Sequence, residues 1–150
     1  MAFIEGCEIP EDRYYYIERS QLTWVRADGD RVTIGATDPA QARAGRILFL
    51  RVKPVGTVRE RGKPIATVES GKWAGPIIAP IGGTVVEVNT VAERDPSLLN
   101  SDPYGRGWVV RLTPSAPAEL SELLSGERAL ARFREVIARE HIRCDRHPPG

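Results

Sequence analysis

Ile65-Ala66-Thr67-Val68-Glu69-Ser70-Gly71-Lys72-Trp73-Ala74-Gly75-Pro76-Ile77-Ile78-Ala79 reads as two short strands joined by a tight reversal. The flanks are β-branched or small and suit pleated, half-buried segments. Between them Ser70-Gly71 supplies turn chemistry, and a positive φ at Gly71 would let the chain reverse there. The following side chain, Lys72, then stands off the sheet in water. A free ε-amine on a flexible stem suits an enzyme that must enclose it and join it to a carboxylic acid as an amide.

Outward from this hairpin the chain is punctuated like a β protein. Asp28-Gly29-Asp30 between Trp24-Val25-Arg26 and Arg31-Val32-Thr33-Ile34-Gly35 is a strong hairpin signal. Tyr14-Tyr15-Tyr16-Ile17, Thr84-Val85-Val86-Glu87-Val88 and Trp108-Val109-Val110-Arg111-Leu112 read as further strands, with Val86 and Val88 on one face. Arg46-Ile47-Leu48-Phe49-Leu50 is apolar enough to predict a central strand. Thr37 or Asp38 can cap a short helix from Pro39 to Ala44, stopped by Gly45. Asp95–Asn100 reads as one helical turn and a loop. Ser115 can cap a helix from Pro117 to Leu124. A second helix over Glu127–Ile142 puts Leu130, Phe133, Val136 and Ile137 on one face. The first dozen residues carry no period and read as an extended arm, and His147-Pro148-Pro149-Gly150 reads as a disordered tail.

At 150 residues the chain supports one core. With 21 Lys+Arg against 20 Asp+Glu, nothing suggests a nucleic-acid partner held by general electrostatic attraction, and none is expected. With no apolar run of membrane-spanning length and no signal-like start, a cytoplasmic protein is expected. Cys7 and Cys144, far apart in sequence, are then expected to be thiols. His141-x-x-Cys144-x-x-His147 has the look of a metal site, but structural zinc wants four ligands and the third residue here falls among prolines. No metal is assigned. No Ser/His/Asp set, carboxylate pair or glycine-rich phosphate loop stands in a suitable context, so a non-catalytic protein is expected.

Glu69 lies three residues before Lys72, Gly56 sixteen before it and Gly83 eleven after it. With these spacings the chain resembles lipoyl-bearing proteins, above all the glycine-cleavage H proteins, whose pattern has a Glu-Ser-x-Lys turn between such glycines. Asp102-Pro103-Tyr104-Gly105-Arg106-Gly107-Trp108 is similar to the same family's Asp-Pro-Tyr-Gly-x-Gly-Trp segment, and Trp24-Val25-Arg26, Ile34–Asp38 and Gln41 match its beginning. The resemblance runs from about Tyr14 to Leu124.

It implies a mainly β, lipoyl-domain-like flattened β-sandwich/barrel hybrid with a few peripheral helices, including a C-terminal one. The division expected is an arm at 1–13, the lipoyl domain at 14–124, and a C-terminal helix and tail at 125–150. The resemblance also implies lipoate bound covalently to Lys72, with Glu69, Ser70, Gly71 and Trp73 around the attachment turn. Gly56 and Gly83 are then backbone requirements where strands come close. A lipoate-attaching enzyme and dihydrolipoamide dehydrogenase are the implied partners of a carrier that works as a monomer.

Two departures stand out. H proteins typically have an apolar branched residue before the lysine and a small one after it, where this chain has Gly71 and Trp73; the family's His-Glu-Trp is Leu22-Thr23-Trp24. The stretch Gly6-Cys7-Glu8-Ile9-Pro10-Glu11-Asp12-Arg13-Tyr14-Tyr15, taken with Glu69–Pro76, resembles a sister group. These are lipoate-binding proteins that serve a heterodisulfide-reductase-like complex in sulfur oxidation and carry sulfur in place of an aminomethyl group. Sulfur carriage is the leading expectation, with aminomethyl carriage in glycine cleavage as its alternative. A module of this shape kept only as an unmodified scaffold is the reading from another class.

Overall fold

A computed structural model of the chain describes residues 2–18 and 20–146. The lysine hairpin is β8 (Pro64–Ser70) and β9 (Ala74–Ile78). It forms a three-stranded antiparallel sheet with β6 (Ile47–Val52), in the order β6-β8-β9. The larger sheet holds β3 (Tyr14–Glu18), β4 (Gln21–Asp28), β5 (Arg31–Ala36), β7 (Val58–Arg59), β10 (Gly83–Val88) and β11 (Val110–Pro114), in the order β3-β4-β5-β11-β10-β7. Leu50, Val52, Ile65, Val68 and Ile77 of the small sheet meet Val25, Ile34, Val85 and Leu112 of the large one in the main core. The architecture is thus a mainly β sandwich, with one sheet twice as wide as the other.

The β4–β5 hairpin turns at Gly29, whose φ of 66° lies in the left-handed region that an Asp-Gly turn supplies. Helix α1 (Asp38–Ala44) begins at Thr37, whose hydroxyl accepts the Ala40 N–H, and ends at Gly45 with φ 81°. A short helix that the sequence reading missed, α2 (Thr90–Arg94), is capped by the Asn89 side chain. Helix α3 (Leu98–Ser101) follows. Pro117–Glu122 is a 3-10 turn without a side-chain cap; Ser115 instead gives its backbone N–H to the Gly82 carbonyl.

Three expectations change. β6 is an edge strand: Ile47, Leu50 and Val52 point into the core, but a bulge turns Leu48 and Phe49 to water. Its outer edge is covered by side chains, since Ile47 N–H donates to Asn100 Oδ1 at 2.8 Å and Val52 N–H to Glu93 Oε2 at 2.9 Å. In β10 a second irregularity between Val85 and Glu87 breaks the alternation, and Val85 is the residue that enters the core.

The third change concerns the termini. The stretch read as an extended arm is a hairpin of β1 (Ala2–Ile4) and β2 (Cys7–Ile9), reversing through Glu5 and Gly6 at positive φ. It packs with β3, β4 and helix α4 (Gly126–Glu140) in a second core built from Ile9, Tyr15, Trp24, Phe133 and Ile137. The tail read as disordered at residues 147–150 lies outside the described residues.

Cys7 and Cys144 are not thiols but a buried disulfide, S–S 2.01 Å. Distance in sequence misled here: α4 carries the chain back until Cys144 meets β2. This also removes Cys144 from any metal site. No cluster of His, Cys, Asp or Glu suited to a metal stands among the described residues.

Candidate functional site

Gly71 and Lys72 form a two-residue loop, closed where Ser70 N–H donates to the Trp73 carbonyl at 2.7 Å. Ser70 Oγ donates to the same oxygen at 3.3 Å. Gly71 is not in the left-handed region, so the reversal does not draw on the positive φ that the sequence reading gave it. What glycine gives there is an open surface, with nothing within 4 Å of where a Cβ would stand. Lys72 is exposed, and among the described residues its ammonium makes no ion pair. Its stem crosses Gly45, where a Cβ would sit 3.3 Å from Lys72 Cε. Gly45 therefore serves twice, as the stop of α1 and as a low sill beneath the lysine.

Trp73, 37% exposed, folds its ring over Gly75, where any Cβ would come within 2.8 Å of the indole. Glu69 points to solvent one residue pair back from the turn. Gly83 and Gly56 lie elsewhere. A Cβ on Gly83 would come within 2.5 Å of the Thr113 carbonyl oxygen, so β10 and β11 need that close approach. Gly56 faces open space and is required for its φ of 94°, a different physical reason from the close approach expected of it.

Beside Lys72 opens a cleft of about 440 Å³ between the lysine hairpin and α1. Its walls are mostly apolar, with Leu22, Ile47, Val68, Ile77 and Leu99 among them, and Trp73 stands at its edge. Gln21, which sequence reasoning passed over, ties its floor together. Gln21 Nε2 donates to the Pro76 carbonyl and Gln21 Oε1 accepts the Ile78 N–H, both at 2.9 Å, so one side-chain amide bridges β4 to β9 as a strand would. Arg43 and Glu140, also missed, close the far side with an ion pair of 3.1 Å between α1 and α4. Neither pair leaves a local sequence signal, since both depend on distant segments meeting.

The Asp-Pro-Tyr-Gly segment serves the scaffold. Trp24 is fully buried, its indole N–H shared between the Ala36 and Pro103 carbonyls, and its ring lies so close on Gly35 that a Cβ there would be 2.5 Å away. Tyr104 donates its hydroxyl to the Glu8 carbonyl and accepts the Asp38 N–H. Burial holds the Tyr104 and Tyr15 phenols well above their ordinary value.

A β sandwich that holds an exposed lysine on a hairpin tip, unpaired among the described residues, beside an apolar cleft is the architecture of a lipoyl-type carrier module. Residues 13–136 match the glycine cleavage H-protein family model, and the chain belongs to that family. It is 48% identical over 147 residues to the probable glycine cleavage system H protein 2 of Saccharolobus solfataricus, covering 97% of this chain and 99% of that one. The glycine cleavage system H protein 3 of Aquifex aeolicus is also 48% identical, over 95% of this chain and 90% of its own. Among solved structures, a glycine cleavage system H protein from Mycobacterium marinum superposes with a TM-score of 0.73 at 34% identity, covering 83% of this chain and 98% of that one. Proteins of this family carry lipoate covalently on a lysine and are not themselves catalysts. No helix among the described residues is long and apolar enough to cross a membrane.

Proposed function

We propose that Lys72 is the lipoylated residue and that the chain is a carrier of groups held on the lipoyl thiols. One observation carries this reading: Lys72 stands unpaired among the described residues at the tip of a two-residue loop, with its stem lying over Gly45 at the mouth of an apolar cleft. The cleft suits an aliphatic chain ending in a five-membered disulfide ring, which apolar walls would shield from water. When attached, lipoate supplies the thiol–disulfide chemistry. The protein's own share is to hold the anchor amine away from carboxylates, keep the cleft open through the Gln21 bridge and limit its depth with the Arg43–Glu140 pair.

The test is acylation of the full chain by a lipoate ligase with lipoate and ATP, read by intact mass and peptide mapping. One lipoyl group on Lys72 supports the reading. An unmodified Lys72, under conditions that load a related carrier, leaves the scaffold as the better account.

The names of these relatives favour glycine cleavage, with an aminomethyl group as cargo and the other enzymes of that system as partners, alongside dihydrolipoamide dehydrogenase and the lipoate-attaching enzyme. None of them names sulfur oxidation. A second reading, sulfur carriage for a heterodisulfide-reductase-like complex, has one observation in its favour. Among the described residues lining the cleft, the one carboxylate is Glu140, already bonded to Arg43, so a cationic aminomethyl group would find no free anion there. Incubating the lipoylated chain with aminomethyltransferase and glycine dehydrogenase separates the two. Turnover at the rate of an established H protein favours the first reading, and its absence, together with capture of sulfane sulfur on the arm, favours the second.

A further inference from the structure

The β6 bulge leaves two neighbouring large apolar side chains in water, Leu48 at 60% exposure and Phe49 at 39%, where regular alternation would bury one of them. Both lie a strand away from the lysine turn, because Ile47 pairs with Ser70 and Phe49 with Glu69. Along the same segment Arg46, Arg51 and Lys53 are exposed. Elsewhere arginines such as Arg43, Arg61 and Arg111 sit against carboxylates, but these three cations have no ion pair among the described residues. Exposed apolar groups edged by unpaired charge mark an interaction surface better than a solvated face. The strand's open side is already occupied by Asn100 and Glu93, so an incoming protein meets the side chains of this face and adds no strand to its edge.

We propose that Leu48 and Phe49, flanked by Arg46, Arg51 and Lys53, are the docking surface for the enzyme that acylates Lys72, and that this enzyme presents an apolar patch rimmed by carboxylates. The inference rests on Lys72 being the attachment residue. Reach decides the occupant. An acylating enzyme must enclose Nζ itself, so its footprint takes in the neighbouring strand, whereas an enzyme acting at the far end of a long arm can work without touching the anchor. In the step it performs, unprotonated Nζ attacks the acyl carbon of a lipoyl adenylate; the C–N bond forms, the acyl–oxygen bond to AMP breaks, and the nitrogen loses a proton. The β6 strip contributes none of these atoms. It sets where Nζ stands and how often the two proteins meet.

The experiment follows Lys72 acylation by intact mass, with a ligase that loads the wild-type chain, at several salt concentrations. The variants are Arg46→Glu/Arg51→Glu/Lys53→Glu, Leu48→Ser/Phe49→Ser and, as a control on the outer face of α4, Arg128→Glu/Arg134→Glu. All these side chains are exposed, and circular dichroism confirms that each variant folds. Both β6 variants are expected to lose roughly tenfold or more in kcat/KM while the control stays within about twofold. The wild-type rate should fall as salt rises and that of the triple charge reversal should not. Normal acylation of the β6 variants overturns the docking surface alone, as does normal acylation combined with slowed oxidation of the dithiol by dihydrolipoamide dehydrogenase, which would assign the strip to a different partner. A wild-type chain that no ligase loads overturns the reading of Lys72 and this inference with it.

Discussion

Where the two ends of the chain meet, Cys7 is bonded to Cys144, and Arg146 reaches the Asp38 and Glu8 carboxylates and the Ser101 carbonyl. Asp38 is fully buried there and also accepts the Glu8 N–H and a Gln41 amide hydrogen. At the Lys72 turn the pattern is the opposite: Leu48, Phe49 and Trp73 face water, and the lysine stands unpaired among the described residues. The contrast separates two tasks. One end fixes the fold with covalent and buried ionic ties, and α1, whose first residue is Asp38, carries that rigidity to the cleft. On the reading of Lys72 proposed above, the other end is left for other proteins to handle.

If that separation holds, the largest effect should come from the smallest change at the open end. Lys72→Arg is expected to abolish lipoylation completely, with the thermal midpoint unchanged, as read by intact mass and calorimetry. A midpoint that falls by several degrees would show the turn to be part of the scaffold. At the tied end the expectation reverses. Cys7→Ser/Cys144→Ser releases a loop whose closing residues are 137 apart in sequence, and should cost about 4–5 kcal/mol of unfolding free energy on the chain-entropy account. Its acylation rate under native conditions should stay that of the wild type, and denaturant titration beside the mass assay tests both halves.

Arg146→Ala should cost less, about 3 kcal/mol, because Asp38 would keep two hydrogen-bond donors but lose the charge that compensates its burial. The smallest effect concerns pH. With Tyr15 and Tyr104 held above the ordinary phenol value of 10.0 by burial, the unfolded chain ionises first. Stability from these groups is thus complete below pH 10.0 and is lost as pH rises past it. Tyrosinate absorbance should show part of the phenol population titrating only as the fold opens.

The open end was the more legible in the sequence. β-branched runs around Ser70-Gly71-Lys72 gave the hairpin, Asp28-Gly29 gave another, and Thr37-x-Pro39 to Gly45 gave α1, because each signal is local. The tied end was misread for the same reason. Ala2–Ile9 is too short to show a period, and its strands persist through Phe133, Trp24 and a disulfide supplied by segments far along the chain. β6 misled differently: its hydrophobicity was read as depth, whereas a bulge spends part of it on the surface. The cleft was invisible, since Gln21, Arg43 and Glu140 reach it from three separate elements.

The Cys7–Cys144 bond closes residues 7–144 into a covalent ring. A protease that cuts once in any exposed loop between those residues yields no loose fragment, only two chains still joined through that bond, heavier than the intact protein by one water. On a gel the pieces would part company only after reductant is added, so protease sensitivity measured without it would pass unnoticed.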